Sequence, residues 1–284
     1  MKLKVLIDDT ANRKYPAIKP EHGVCYHIDL GTPKVLFDLG YSGLFINNAP
    51  LMGIDLREIT HICFSHAHSD HTGGLFPWLR TYEGDLCLRK PMLIAHPMIF
   101  ERKSKEISYT VETGIGLAKD FVETFFKFGL TKEPYRITED LIFLGEIERT
   151  NDFENQKPIG KMIDKFGNQV DDYCPDDSAI IYRSSQGIVL ITACSHSGIC
   201  NIVQYAKKVA KKMWAEDHIH AVIGGLHLDG SDKEILENTA NFLKTADIDK
   251  FYIGHCTFFP TKAFLSKAGL DIDELYVGRE FAFG

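Results

Sequence analysis

A chain of 284 residues, 44% hydrophobic and 25% charged, has the make-up of a globular protein, and a single domain over residues 1–284 is expected. Its formal net charge of −7 and pI near 5.9 argue against a surface built to hold nucleic acid or anionic membrane. Seven cysteines include no close Cys-x-x-Cys pair and read as reduced thiols of a cytoplasmic protein; neither a signal peptide nor an apolar run long enough to span a bilayer is recognisable.

Residues 1–8 alternate apolar and polar side chains as a strand does, and residues 23–38 read as two strands around the turn Gly31-Thr32-Pro33-Lys34. Asp38 ends the second of these, where a carboxylate satisfies nearby backbone donors, and is read as structural. A short helix over 42–52 precedes the apolar run 59–64, a buried strand. Ser65-His66-Ala67-His68-Ser69-Asp70-His71-Thr72-Gly73-Gly74 follows at once, then a helix from 74 to about 81 and a strand over 92–95. His96, alone at that strand's end before Pro97, is read as packed or solvent-facing rather than ligating.

From 99 to 175 the pattern loosens, as expected of an insertion covering a cleft. Within it, Leu117, Phe121, Phe125 and Phe128 fall at near-helical spacing, so 116–128 is predicted as an amphipathic helix, packed on the body of the fold or on a second copy of the chain. Arg102, Lys103 and Lys105 read as a solvated face ahead of a phosphate clamp. Strands are predicted over 179–182 and 187–193. A helix over 201–214 sets Ile202, Tyr205, Val209 and Met213 against a lysine face. Strand, helix, strand and helix then alternate at 220–224, 233–245, 250–253 and 261–268.

The motif at 65–74 carries the chemistry. His66, His68, Asp70 and His71 place four potential metal ligands within six residues, after a strand and before a glycine pair. Side chains two apart in an extended turn point the same way, so His66 and His68 can grip one ion while Asp70 and His71 turn toward a second. Gly73 and Gly74 let the helix start lie close to the strand ends. Each ion needs a further protein ligand, and histidines at later strand ends are the candidates. His196 follows the strand over 187–193 and sits among small residues suited to a tight turn; His255 follows 252–254 in the same manner.

The hexad 66–71 is similar to the signature of the metallo-β-lactamase fold superfamily, whose members stack two β-sheets between layers of helices. The resemblance implies an α/β fold, a four-layer αββα sandwich. The segments 176–181, 187–199, 224–228 and 254–257 resemble the dihydropteroate-synthase-like branch, named for an archaeal enzyme that joins a dihydropterin to ribofuranosylaminobenzene phosphate in making methanopterin. It further implies that His66, His68 and His196 hold one ion and Asp70, His71 and His255 the other. Many members have an aspartate bridging both ions, and here the corresponding tip reads Ala193-Cys194-Ser195-His196. Either His196 takes a modified place, or Asp177, less readily Asp176, comes across; Cys194 reads as a buried cysteine ahead of a thiolate ligand. His227 is open between a packed residue, a general acid or substrate contact, and a ligand.

The expected function is a metal-dependent hydrolase using a metal-bound hydroxide on an ester, lactone or phosphodiester, with Asp70 and His227 as candidate catalytic residues. The alternatives are pterin condensation, as the resemblance implies, and a non-catalytic scaffold. A flavodiiron-type reductase is disfavoured, because such sites usually carry glutamate where this chain has His68. The cofactors expected are two divalent ions, zinc first and iron or manganese next. The partners expected are a small-molecule substrate and no nucleic acid or membrane; a homo-oligomer is left open.

Overall fold

The computed structural model describes residues 1–104, 113–164 and 166–284. In chain order the strands are β1 (Lys2–Ile7), β2 (Cys25–Asp29), β3 (Lys34–Phe37), β4 (His61–Cys63), β5 (Met92–Ala95), β6 (Lys103–Ser104), β7 (Lys127–Leu130), β8 (Tyr135–Arg136), β9 (Leu141–Phe143), β10 (Gly160–Ile163), β11 (Gln169–Asp172), β12 (Ile180–Ser184), β13 (Gly187–Ile191), β14 (Ile219–Gly224), β15 (Ile248–Ile253), β16 (Ile272–Glu274) and β17 (Glu280–Ala282). The helices are α1 (Leu44–Leu51), α2 (Ser69–Thr72), α3 (Leu75–Arg89), α4 (Lys119–Glu123), α5 (Ile199–Trp214), α6 (Lys233–Thr245) and α7 (Phe259–Lys267). Two compact units result, one from Met1–Lys132, Pro158–Asp176 and Tyr276–Ala282, the other from Glu133–Lys157, Asp177–Leu275 and Phe283–Gly284. Among the described residues no helix is long and apolar enough to cross a membrane.

The first unit is built on a seven-stranded sheet in the order β17-β1-β2-β3-β4-β5-β7. Its β17, β1, β2 and β3 are antiparallel neighbours, and β3, β4, β5 and β7 run parallel. Leu6, Leu36, Ile62 and Leu93 join Phe45 of α1 and Trp78 of α3 in one buried cluster, where each large apolar side chain contributes roughly 1.5–3 kcal/mol. Trp78 meets Phe45 edge-on at 6.3 Å. A small three-stranded sheet, β11-β10-β6, completes this unit.

Two expectations change here. The helix after the metal loop reaches Arg89 rather than 81, with a break at Tyr82. The amphipathic helix over 116–128 shrinks to α4, and Lys127–Leu130 becomes β7, an edge strand paired with β5. Val122, Phe125 and Phe126 still pack into the unit's core. Phenylalanines spaced for one helix thus serve a short helix and a strand, because the open edge of β5 offers main-chain partners that local spacing does not reveal.

The second unit follows the same plan. Its sheet runs β16-β15-β14-β13-β12-β9-β8, with β12 and β13 as an antiparallel hairpin and β13, β14, β15 and β16 parallel. Ile202, Tyr205 and Val209 of α5 are buried against this sheet with Met213 partly so, as the periodicity predicts.

Candidate metal centre

In the first unit β3 and β4 end side by side, with Phe37 opposite Cys63. Asp38 leaves β3 at a φ of 58° and is fully buried. Its carboxylate accepts the Ser65 N–H at 2.8 Å and the Ser65 hydroxyl at 2.6 Å, and lies 2.8 Å from His71 Nδ1. Ser65 Oγ in turn lies 2.9 Å from His66 Nδ1. One buried carboxylate therefore holds two imidazoles on their Nδ1 sides, directly or through a hydroxyl, and fixes the direction in which each presents Nε2.

The donors converge. His66 Nε2 is 3.1 Å from His68 Nδ1, the His66 and His71 rings are 4.2 Å apart, and His71 Nε2 is 3.4 Å from Asp70 Oδ2. Burial, helped by the Lys103 charge, holds His68 down to about 3, so it presents a neutral ring. Burial would lower His71 too, but the Asp70 and Asp38 carboxylates outweigh it and push this imidazole up to about 9. The pocket thus favours a positive charge, which a divalent ion would supply in the proton's place. Imidazole nitrogens and a carboxylate suit such an ion.

Gly73 and Gly74 are where the backbone requires them. A Cβ on Gly73 would lie 2.1 Å from the Tyr41 carbonyl oxygen, and one on Gly74 2.3 Å from that of Leu39.

Behind the loop, Asp176 Oδ2 accepts the Ala67 N–H at 2.8 Å, fixing the backbone between His66 and His68. Its other oxygen pairs with the Lys103 ammonium, which also lies 3.2 Å from Asp172. Lys103 is therefore a buried ion-pair partner, which corrects its reading as a solvated residue; Arg102 is exposed as expected and Lys105 lies outside the described residues. Asp176, engaged in this way, is accounted for without a bridging role. Cys174, unmarked by any local motif, brings its Sγ within 4.8 Å of the donor atoms of His66 and His68. His96 is buried and accepts the Met98 N–H, a packed residue as read.

In the second unit the parallel order of β13, β14 and β15 sets three loops at the same strand ends, where α/β proteins place their ligands. They carry His196, His227 and His255. Asp177 Oδ2 accepts the Ser197 N–H at 2.8 Å, and Asn155 donates to the His196 carbonyl at 2.6 Å, shaping the turn into α5. The His196 and His227 rings are 4.3 Å apart. His227 is exposed, so it is not a packed core residue. His255 is buried, with Nε2 3.2 Å from Cys194 Sγ. Cys256 beside it would be raised by burial, but its hydrogen bond to Cys194 and the imidazoles of His255 and His227 draw it down to about 6. Ser195, His227 and His255 all have positive φ, the kind of backbone strain that collects at functional sites.

Imidazoles and a carboxylate converging at the strand ends of an α/β protein form a donor set that could hold a metal ion. The chain is a member of the Metallo-beta-lactamase superfamily, whose profile matches residues 18–255. It is 29% identical over 299 aligned residues to the 7,8-dihydropterin-6-methyl-4-(beta-D-ribofuranosyl)-aminobenzene-5'-phosphate synthase of Methanocaldococcus jannaschii, covering 100% of this chain and 97% of that one. An uncharacterised protein of the same organism is 31% identical over 270 residues, covering 93% and 94%. Among solved structures, a metal-dependent hydrolase of the beta-lactamase superfamily matches with a TM-score of 0.80 at 25% identity, covering 99% of this chain and 98% of that one. The fold is thus the α/β fold of the metallo-β-lactamase type that the hexad implies.

Proposed function

We propose that the chain is a metal-dependent hydrolase acting on an ester, lactone or phosphodiester of a small-molecule substrate. The observation that carries this reading is the intact hexad, with His66 and His71 both held on their Nδ1 sides by Asp38, directly or through Ser65. His66, His68, Asp70 and His71, with His196 and His255, are the proposed donors to two ions, zinc first and iron or manganese next. Two such ions would supply an acidified water and a Lewis acid for a carbonyl or phosphoryl oxygen. The protein's own part is to hold those donors rigid through Asp38, Asp176 and Asp177. His227, exposed on its loop, is placed to hand a proton to a leaving group or to contact substrate. The seven cysteines, all free thiols, favour a reducing compartment such as the cytoplasm.

The full-length similarity to the Methanocaldococcus synthase favours a second reading, in which a dihydropterin diphosphate is joined to ribofuranosylaminobenzene phosphate with loss of diphosphate. Elemental analysis of wild type and His196→Ala tests the metal site. About two ions in wild type and about one in the variant are expected; a wild type that is empty and refuses zinc, manganese and iron leaves a non-catalytic scaffold. Phosphodiester, lactone and pterin-diphosphate assays then separate the two reactions.

A further inference from the structure

Between β1 and β2 the chain presses Glu21-His22-Gly23 against the metal loop. Gly23 has a φ of 128°, and a Cβ there would lie 2.0 Å from the Asp70 carbonyl oxygen. The Val24 N–H donates to that same oxygen at 3.3 Å. Asp9 accepts the Gly23 N–H at 3.2 Å, and Glu21 accepts the Ser42 N–H at 2.9 Å, so the segment is anchored on both sides. This brings His22 Nδ1 to 2.8 Å from Asp9 Oδ2 and His22 Nε2 to 3.3 Å from Asp70 Oδ2. That same Asp70 oxygen is the one near His71 Nε2.

We propose that Asp9 and His22 form a positioning pair that orients the Asp70 carboxylate toward a divalent cation. The inference rests on the metal-site reading above and extends it to residues remote from the hexad. Burial does not account for His22, because 59% of its side chain is exposed while both ring nitrogens sit on carboxylates. Asp70 is itself only partly buried, and a carboxylate without such a partner is freer to rotate away from an ion. Groups that hydrogen-bond to metal ligands in this way commonly change metal affinity by about 10–100-fold.

The test is titration of metal-free protein with cobalt(II), read by its visible absorption and by equilibrium affinity, for wild type, His22→Ala, His22→Gln and Asp9→Asn. His22→Ala is expected to weaken one ion by about 10–100-fold and to alter its absorption band. Glutamine keeps an N–H near the position of Nε2 and is expected to restore most of the affinity, with Asp9→Asn in between. Thermal midpoints should hardly move, since His22 is largely exposed. Unchanged affinity and spectrum in His22→Ala overturn the proposal, as does an equal loss in the glutamine and alanine variants. A wild type that takes up no cobalt overturns it together with the metal-site reading, whereas normal uptake by both wild type and His22→Ala overturns this proposal alone.

Discussion

Asp38 and Asp176 are buried carboxylates that grip the backbone on either side of His66, the first through the Ser65 N–H and the second through the Ala67 N–H. A buried carboxylate is tolerated only when hydrogen-bonded or paired; Asp38 finds Ser65 and His71, and Asp176 finds Lys103. The hexad was legible because its donors are neighbours in sequence. Of its supports Asp38 was legible as a strand-end carboxylate, but the rest were not, since Lys103, Asp172, Cys174 and Asp176 come together only through β6 and β11, and His22 reaches Asp70 only through tertiary packing. His227 is a case where sequence left alternatives and exposure narrows them. If it donates a proton to the leaving group, His227→Ala should lower kcat by roughly 10²–10⁴-fold with metal content unchanged; lost metal would instead make it a ligand.

Among the elements, α5 depends on a residue far from it in sequence. Glu154 accepts the Cys200 N–H at 2.9 Å and the Asn201 N–H at 3.0 Å, placing a buried negative charge at the N-terminus of a 16-residue helix. A Cβ on Gly198 would meet that carboxylate at 2.4 Å, so glycine is needed there. Glu154→Ala should cost about 2 kcal/mol of stability, at the upper end of measured caps, and Glu154→Gln less; denaturant unfolding gives both values. The strongly periodic α5 and α6 were legible, whereas α4 and β7 were not. Helical spacing is a property of one segment, and strand pairing belongs to two.

Over the whole molecule, two seven-stranded sheets repeat one plan, an antiparallel part followed by a parallel part, and the hairpin-then-βα order of the sequence anticipates it. Stability should also carry a pH signature from β2. His27 lies opposite Lys4 and Leu36 on the neighbouring strands, where burial holds it down to about 4 from an ordinary 6.5. Between those values the unfolded chain binds the proton and the folded chain does not, so stability falls as pH drops through that window and is insensitive to this group above it. The loss should total about 3 kcal/mol. His27→Gln should remove that part of the slope, as the difference between variant and wild-type unfolding curves at pH 4.5 and 7.5 will show. A last consequence comes from the pairing of β1 with β17, which sets Lys2 opposite Ala282 and Lys4 opposite Glu280. A ribosome makes β1 long before β17, and must synthesise nearly all of the second unit between them. During that interval β1 is an open sheet edge, available to any passing strand, so the nascent chain needs a chaperone or fast translation most while residues 8–279 are being made.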